Sequence, residues 1–223
     1  WISLILILAS SVMLAFFIGN SARNTLLLRQ QQYAMLMARN LNQQIYRRFK
    51  LPTFLAFGRI ALRQSMQYQQ LDDVVQSTIL GLHLESLRIY GADRVVNYSI
   101  NQMELGRTDI TPASMERVMS SGIPFFETLS SVNMLSAMFM LKIPDGSYSL
   151  RTMFPLTVDL GISESTGKPE SLVTGVLEIT QDITDDYDSV VRFQWLILAT
   201  CLGSSTILFA ILQFFIIKAE RTL

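Results

Sequence analysis

Two uncharged apolar runs, one near each end of the chain, decide most of what it can fold into. Residues Trp1–Gly19 contain no Asp, Glu, Lys or Arg and are chiefly Ile, Leu, Val, Ala and Phe. Trp195–Ile217 is a second such run, interrupted only by small polar residues and Gln213. At a rise of about 1.5 Å per residue, about 20 residues cross a hydrocarbon core roughly 30 Å thick. The pattern therefore predicts transmembrane helices at residues 1–19 and 194–217. Arg192 and Trp195 on one side of the second run, and Lys218 and Arg221 on the other, fit as interfacial anchors. A signal peptide is the alternative for the first run, although it has neither a basic leading region nor an Ala-x-Ala site. The run opens on Trp1 rather than Met, and the sequence is expected to be a segment of a longer chain.

Composition agrees with lipid contact. Half the residues are hydrophobic and 16% are charged, against about a quarter charged in soluble domains. Lys+Arg and Asp+Glu both number 18, so bulk charge gives no reason to expect a nucleic-acid partner. Cys201 is the one cysteine and His83 the one histidine. A disulfide framework is excluded, and thiolate zinc sites, Ser-His-Asp triads and two-His iron sites lack their residues. No catalytic constellation, metal or cofactor is expected. His83 reads as a structural residue at a helix end, and Met134, Met138 and Met140 as flexible core filling rather than a soft-metal site. Arg23 and Arg29 follow the first run and Lys218 and Arg221 the second. A connector of residues 20–193 is too long for positive charge to orient the chain firmly.

Within that connector, residues 20–70 are helical in pattern. Ala34, Met37 or Ala38, Leu41, Ile45 and Phe49 recur every three or four residues, as if the first span continued out of the membrane. Pro52 is expected to kink or end this helix. Arg23, Arg29, Arg39, Arg47, Arg48, Lys50, Arg59 and Arg63 lie on it with no acid before Asp72. They form either a basic face beside anionic lipid or a solvated face whose partner charges come from elsewhere in the domain. A second helix is expected from Leu71 to His83. Strands are expected at Glu85–Tyr90 and Val95–Ser99 around a Gly91–Arg94 turn. Thr111-Pro112 should open a helix ending near Ser121-Gly122. Strands at 136–143 and 148–158 should form a hairpin through Pro144-Asp145-Gly146. A loop over 159–171, a strand over 172–180 and a helix over 182–192 complete the order. One antiparallel sheet packed with helices, an α+β fold, is the economical solution.

Strand alternation places Arg88 with Tyr90 on one strand face, and Arg151 with Met153 on another. An arginine there would pair bidentately with a carboxylate, with Tyr98 and Tyr148 as pocket walls. Solvent-facing arginines are the plainer alternative.

Three stretches carry a family likeness: residues 87–96, the Pro144-Asp145-Gly146 turn running into Arg151–Leu156, and Gly175–Thr184. Together they resemble the Cache (PAS-like) sensor domains of bacterial transmembrane receptors. The resemblance implies a PAS-like antiparallel sheet with a long N-terminal helix over residues 20–193, outside the cytoplasm, in a protein of the bacterial inner membrane. It implies a small-molecule ligand, a carboxylate among the candidates, bound by Arg88, Tyr90, Tyr98, Tyr148, Arg151 and Met153. Membrane lipid and a second copy of the chain are the other implied partners, with Met37, Leu41, Ile45 and Phe49 as a candidate dimer seam unless their own domain buries them. Residues 218–223 look like the start of a cytoplasmic coil leading to a histidine kinase, or less often a diguanylate cyclase. The rival expectation is a bitopic scaffold whose middle domain binds other proteins.

Overall fold

A computed structural model describes residues 2–57, 65–82, 84–133, 136, 140, 142–162 and 169–220. In chain order the elements are helix α1 (Ile2–Ile45), a π-helical turn (Tyr46–Lys50), α2 (Leu51–Phe57), α3 (Ser65–Ile79), strands β1 (Leu84–Gly91) and β2 (Val96–Ser99), a 3-10 turn (Gln102–Glu104), α4 (Ser114–Ser121), β3 (Phe125–Ser130), β4 (Tyr148–Ile162), β5 (Pro169–Asp182) and α5 (Thr184–Glu220). The chain divides into two compact units. One comprises Trp1–Leu28, Val132–Asp145 and Thr184–Leu223, and the other Arg29–Ser131 and Gly146–Ile183.

In the first unit the early part of α1 packs against α5. Ala15, Gly19 and Arg23 are buried at four-residue steps, and the small pair Ala15 and Gly19 lets two helices approach closely. The Gln194 side chain fills the space where a Gly19 Cβ would lie. Ser11 and Ser205 hydroxyls meet at 3.4 Å, and the Arg23 guanidinium lies 5.3 Å from the Tyr187 ring centre. Two helices are long and apolar enough to cross a membrane, within Ile5–Leu55 and Thr184–Phe215. Among the described residues that interrupt these runs, Ser10, Thr200, Ser204, Ser205 and Thr206 each donate to a carbonyl one turn earlier. That local bonding is what hydrocarbon surroundings demand.

The second unit is a five-stranded sheet, antiparallel throughout, in the order β2-β1-β5-β4-β3. Its helix-covered face joins Met37, Ala38, Leu41, Ile45 and Phe49 to Leu71 and Val75 of α3 and to Leu87, Ile89, Tyr98, Leu156, Leu177 and Ile179. The periodic ladder is therefore consumed by its own domain and leaves no free dimer seam there. The opposite face packs Tyr90, Val96, Met153 and Val176 against Met115 and Val118 of α4. The strand carrying Gly175 runs so close to the Tyr90 carbonyl that a Cβ would collide with it, which accounts for glycine in a central strand.

Several sequence expectations are corrected. Pro52 does not end the helix. Its ring would crowd the carbonyl four residues back, and the chain widens into the π-turn instead, with the Leu51 N–H bonding the Tyr46 carbonyl. The strand partner of β4 on its outer side is β3, which periodicity missed, and not residues 136–143. Residues 137–139 and 141 of that segment lie outside the described residues, as does Met134, while Met140, Lys142 and Ile143 are not in a strand. Met140 is exposed rather than core. Pro144-Asp145-Gly146 is indeed a turn, with Gly146 at φ 73°, but it sits in the connection between β3 and β4, closed by the Ser131 N–H on the Ser147 carbonyl at 3.0 Å. Thr111 does not cap α4: its hydroxyl bonds the Arg94 carbonyl at 3.0 Å, and the helix starts at Ser114. His83, Arg59 and Arg63 lie outside the described residues. Arg29, Arg39, Arg47 and Arg48 are exposed along the helix.

Candidate functional site

The α4-bearing face of the sheet carries a charged cluster that follows directly from strand register. Arg88 on β1 stands opposite Glu178 on β5 and Ser99 on β2. Glu178 in turn faces Met153 on β4, and Met153 faces Phe125 on β3. In the neighbouring row Arg151 on β4 pairs with Thr180 on β5 and Glu127 on β3. Alternation then points Arg88, Tyr90, Arg151, Met153, Glu127 and Glu178 to the same side.

Glu178 is the hub, with a side chain that has no exposure. One of its oxygens accepts from Arg88 Nη1 at 2.7 Å and lies 3.6 Å from Arg151 Nε. The other accepts from the Tyr90 hydroxyl at 2.9 Å. A buried carboxylate is tolerated only with such partners. The remaining edge of the Arg88 guanidinium is taken by Glu104, Nε and Nη2 each donating at 2.7 Å, and the Ser99 hydroxyl donates to the same carboxylate at 2.7 Å. Arg151 Nη1 donates to Glu127 at 3.1 Å. The Arg88 fork, more than its partial burial opposes it, holds the Glu104 carboxyl below its ordinary value of 4.5. Burial and the adjacent Glu178 push the Tyr90 phenol well up, so it stays a neutral donor.

A carboxyl with a depressed folded-state pKa contributes stability that is present above its unfolded value and is lost as pH falls through the folded one. Wild type should therefore exceed a Glu104→Gln variant in stability at neutral pH. The gap should begin to narrow below about pH 4.5 and close as pH falls through the lower folded-state value, as read from melting temperatures of both proteins over pH 3–7. A gap that stayed constant with pH would show that the Glu104 charge contributes nothing.

Of the residues singled out from sequence, Arg88, Tyr90, Arg151 and Met153 converge on this face. Met153 is fully buried, with the Ser114 hydroxyl 3.2 Å from its sulfur. Tyr98 lies on the other face. Its hydroxyl donates to Asp72 at 2.6 Å and its ring stacks at 5.4 Å from Tyr68, so it belongs to the α3 core. Tyr148 alternates with Arg151 along β4 and also turns away from the cluster. Its backbone carbonyl accepts from the Ile183 N–H at 2.9 Å. Sequence reasoning missed Glu178, Glu104 and Glu127. The signal for Glu178 was available: it is the lone acid in the apolar run Gly175-Val176-Leu177-Glu178-Ile179. The cluster brings together two guanidinium groups, three carboxylates and the Tyr90 and Ser99 hydroxyls. Among the described residues, no three His, Cys, Asp or Glu side chains gather as a metal site.

No protein-family model matches the chain, and no curated protein matches it significantly.

Proposed function

We propose that the chain is the ligand-sensing input module of a bacterial two-component sensor kinase, a Cache-type domain outside the cytoplasm held in the inner membrane by its two apolar helices. The observation that carries this reading is the position of β5. It is the central strand, it bears the buried hub Glu178, and it ends at Asp182, with Ile183 alone between it and α5. A ligand that rearranges the arginine cluster acts on the strand that leads without interruption into the second membrane helix. Signalling here is conformational: the ligand favours one of two arrangements of strand and helix by its differential affinity for them. The α+β architecture, with its long N-terminal helix and flanking apolar helices, is what the family resemblance implies, and it supports the same reading.

The test is a thermal-shift screen of the whole chain in lipid nanodiscs against small carboxylates and amino acids. A ligand at about 100 times its Kd adds about 2.7 kcal/mol to the folded state. The expected result is a saturable rise in melting temperature that Arg88→Lys reduces, because lysine keeps the charge and loses the bidentate fork. A folded chain that no compound stabilises would overturn the sensing reading and leave a membrane scaffold in its place.

A further inference from the structure

Resting on that reading, we infer that the seat of Glu104 on Arg88 is the binding site for the carboxylate group of a ligand, with Glu104 its intramolecular occupant. Three donors converge there on two carboxylate oxygens: Arg88 Nε and Nη2 and the Ser99 hydroxyl, all at 2.7 Å. That is a complete receptor for one carboxylate, planar fork and side donor included. It also lies where a solute can reach it. The Arg88 and Glu104 side chains keep 18% and 14% exposure, while Glu178, on the third guanidinium nitrogen, has none. Glu178 is the fixed floor and Glu104 the replaceable wall.

The backbone that presents Glu104 is slight. Gln102–Glu104 is one 3-10 turn, held by the Asn101 side chain on the Met103 N–H, by Leu105 N–H on the Gln102 carbonyl at 3.3 Å and by Arg107 N–H on the Glu104 carbonyl at 3.2 Å. Such short turns open at little cost compared with sheet strands. Beyond it, Gly106 N–H returns to the Val96 carbonyl at 2.9 Å and Val96 N–H to the Arg107 carbonyl at 3.0 Å. Lifting Glu104 thus loosens a loop clamped to edge strand β2. Charge bookkeeping favours exchange of like for like. Arg88 and Arg151 face Glu178, Glu104 and Glu127, and a ligand carboxylate entering as Glu104 leaves restores the same balance on the arginines. A second cation or a neutral ligand would not. An intramolecular group competes at an effective concentration on the order of mM, so the seated Glu104 sets a threshold that the ligand must exceed.

Chemical rescue tests this. In Glu104→Ala, the side chain removed beyond Cβ is an acetate, so sodium acetate is the probe and sodium chloride at equal ionic strength the control. The whole chain in nanodiscs is used throughout. The expected result is a lowered melting temperature for Glu104→Ala that acetate restores saturably and chloride does not. Half-saturation should fall at least about ten-fold below that of wild type, in which Glu104 holds the seat most of the time. Glu104→Gln, which fills the space without the charge, should bind acetate less well than Glu104→Ala, and Arg88→Lys combined with Glu104→Ala should lose the saturable response. Equal acetate affinity in wild type and Glu104→Ala, with both responses dependent on Arg88, would overturn the occupant role and leave carboxylate sensing intact. No response in any variant would overturn both.

Discussion

Replacing Arg88 by alanine is expected to cost about 3–5 kcal/mol of folding stability, the range for stripping one partner from a buried ion pair. The magnitude follows from what stays behind. Glu178 has no solvent access and would keep only the Tyr90 hydroxyl at 2.9 Å and Arg151 at 3.6 Å. Glu104 would lose both guanidinium bonds and keep Ser99. Double replacement of Arg88 by Met and Glu178 by Leu should recover most of the loss, because well-packed apolar residues often equal a buried ion pair. Urea unfolding of the single and double variants in detergent, followed by pulse proteolysis, gives the comparison. A single substitution costing under about 1 kcal/mol, as an exposed pair would, would mean that water reaches Glu178.

The second large effect is expected at Phe49, which is 2% exposed inside the π-turn and joins the core formed with α3 and the sheet. Phe49→Ala should lose about 3–5 kcal/mol through lost transfer energy and the cavity left behind. Leu36→Ala, on the same long helix but 64% exposed, should stay within about 0.5 kcal/mol. The contrast separates domain packing from a helix that merely extends from the membrane. Equal losses at the two positions would contradict the packing of the π-turn on the sheet.

Much of the fold was legible because it rests on periodicity. The apolar runs, the long amphipathic helix, the β1–β2 hairpin and the helix ending at Gly122, whose φ is 65°, all announce themselves through spacing or turn chemistry. Phe125–Ser130 did not. It is an edge strand of intermediate and exposed residues with no buried alternation to see, and missing it meant missing Glu127. Pro52 misled because proline usually stops a helix, whereas here a widened turn accommodates it. The arginines of the cluster were found by strand alternation. Their partners were not, because Glu104 sits in a turn between elements and Glu178 is a single acid inside an apolar strand, which periodicity registers only as part of the strand. Tyr98 and Tyr148, expected as pocket walls, are sent to the other face by the parity of their strands.

The strand order has a consequence for biosynthesis. Arg88 and Glu178 are separated by 90 residues, yet β1 is flanked by β5 in the finished sheet. Synthesis at about 5–20 residues per second therefore leaves β1 without its inner neighbour for roughly 5–20 s. During that interval β1 and β2 are a lone hairpin, which is at best marginally stable in water. The strand that completes the sheet is made immediately before α5, a helix long and apolar enough to cross a membrane. Slow non-local pairing thus waits on the stretch of chain that ends at Ile183, next to the second apolar helix. A chain stalled before that point would present unpaired strand edges on β1 and β4.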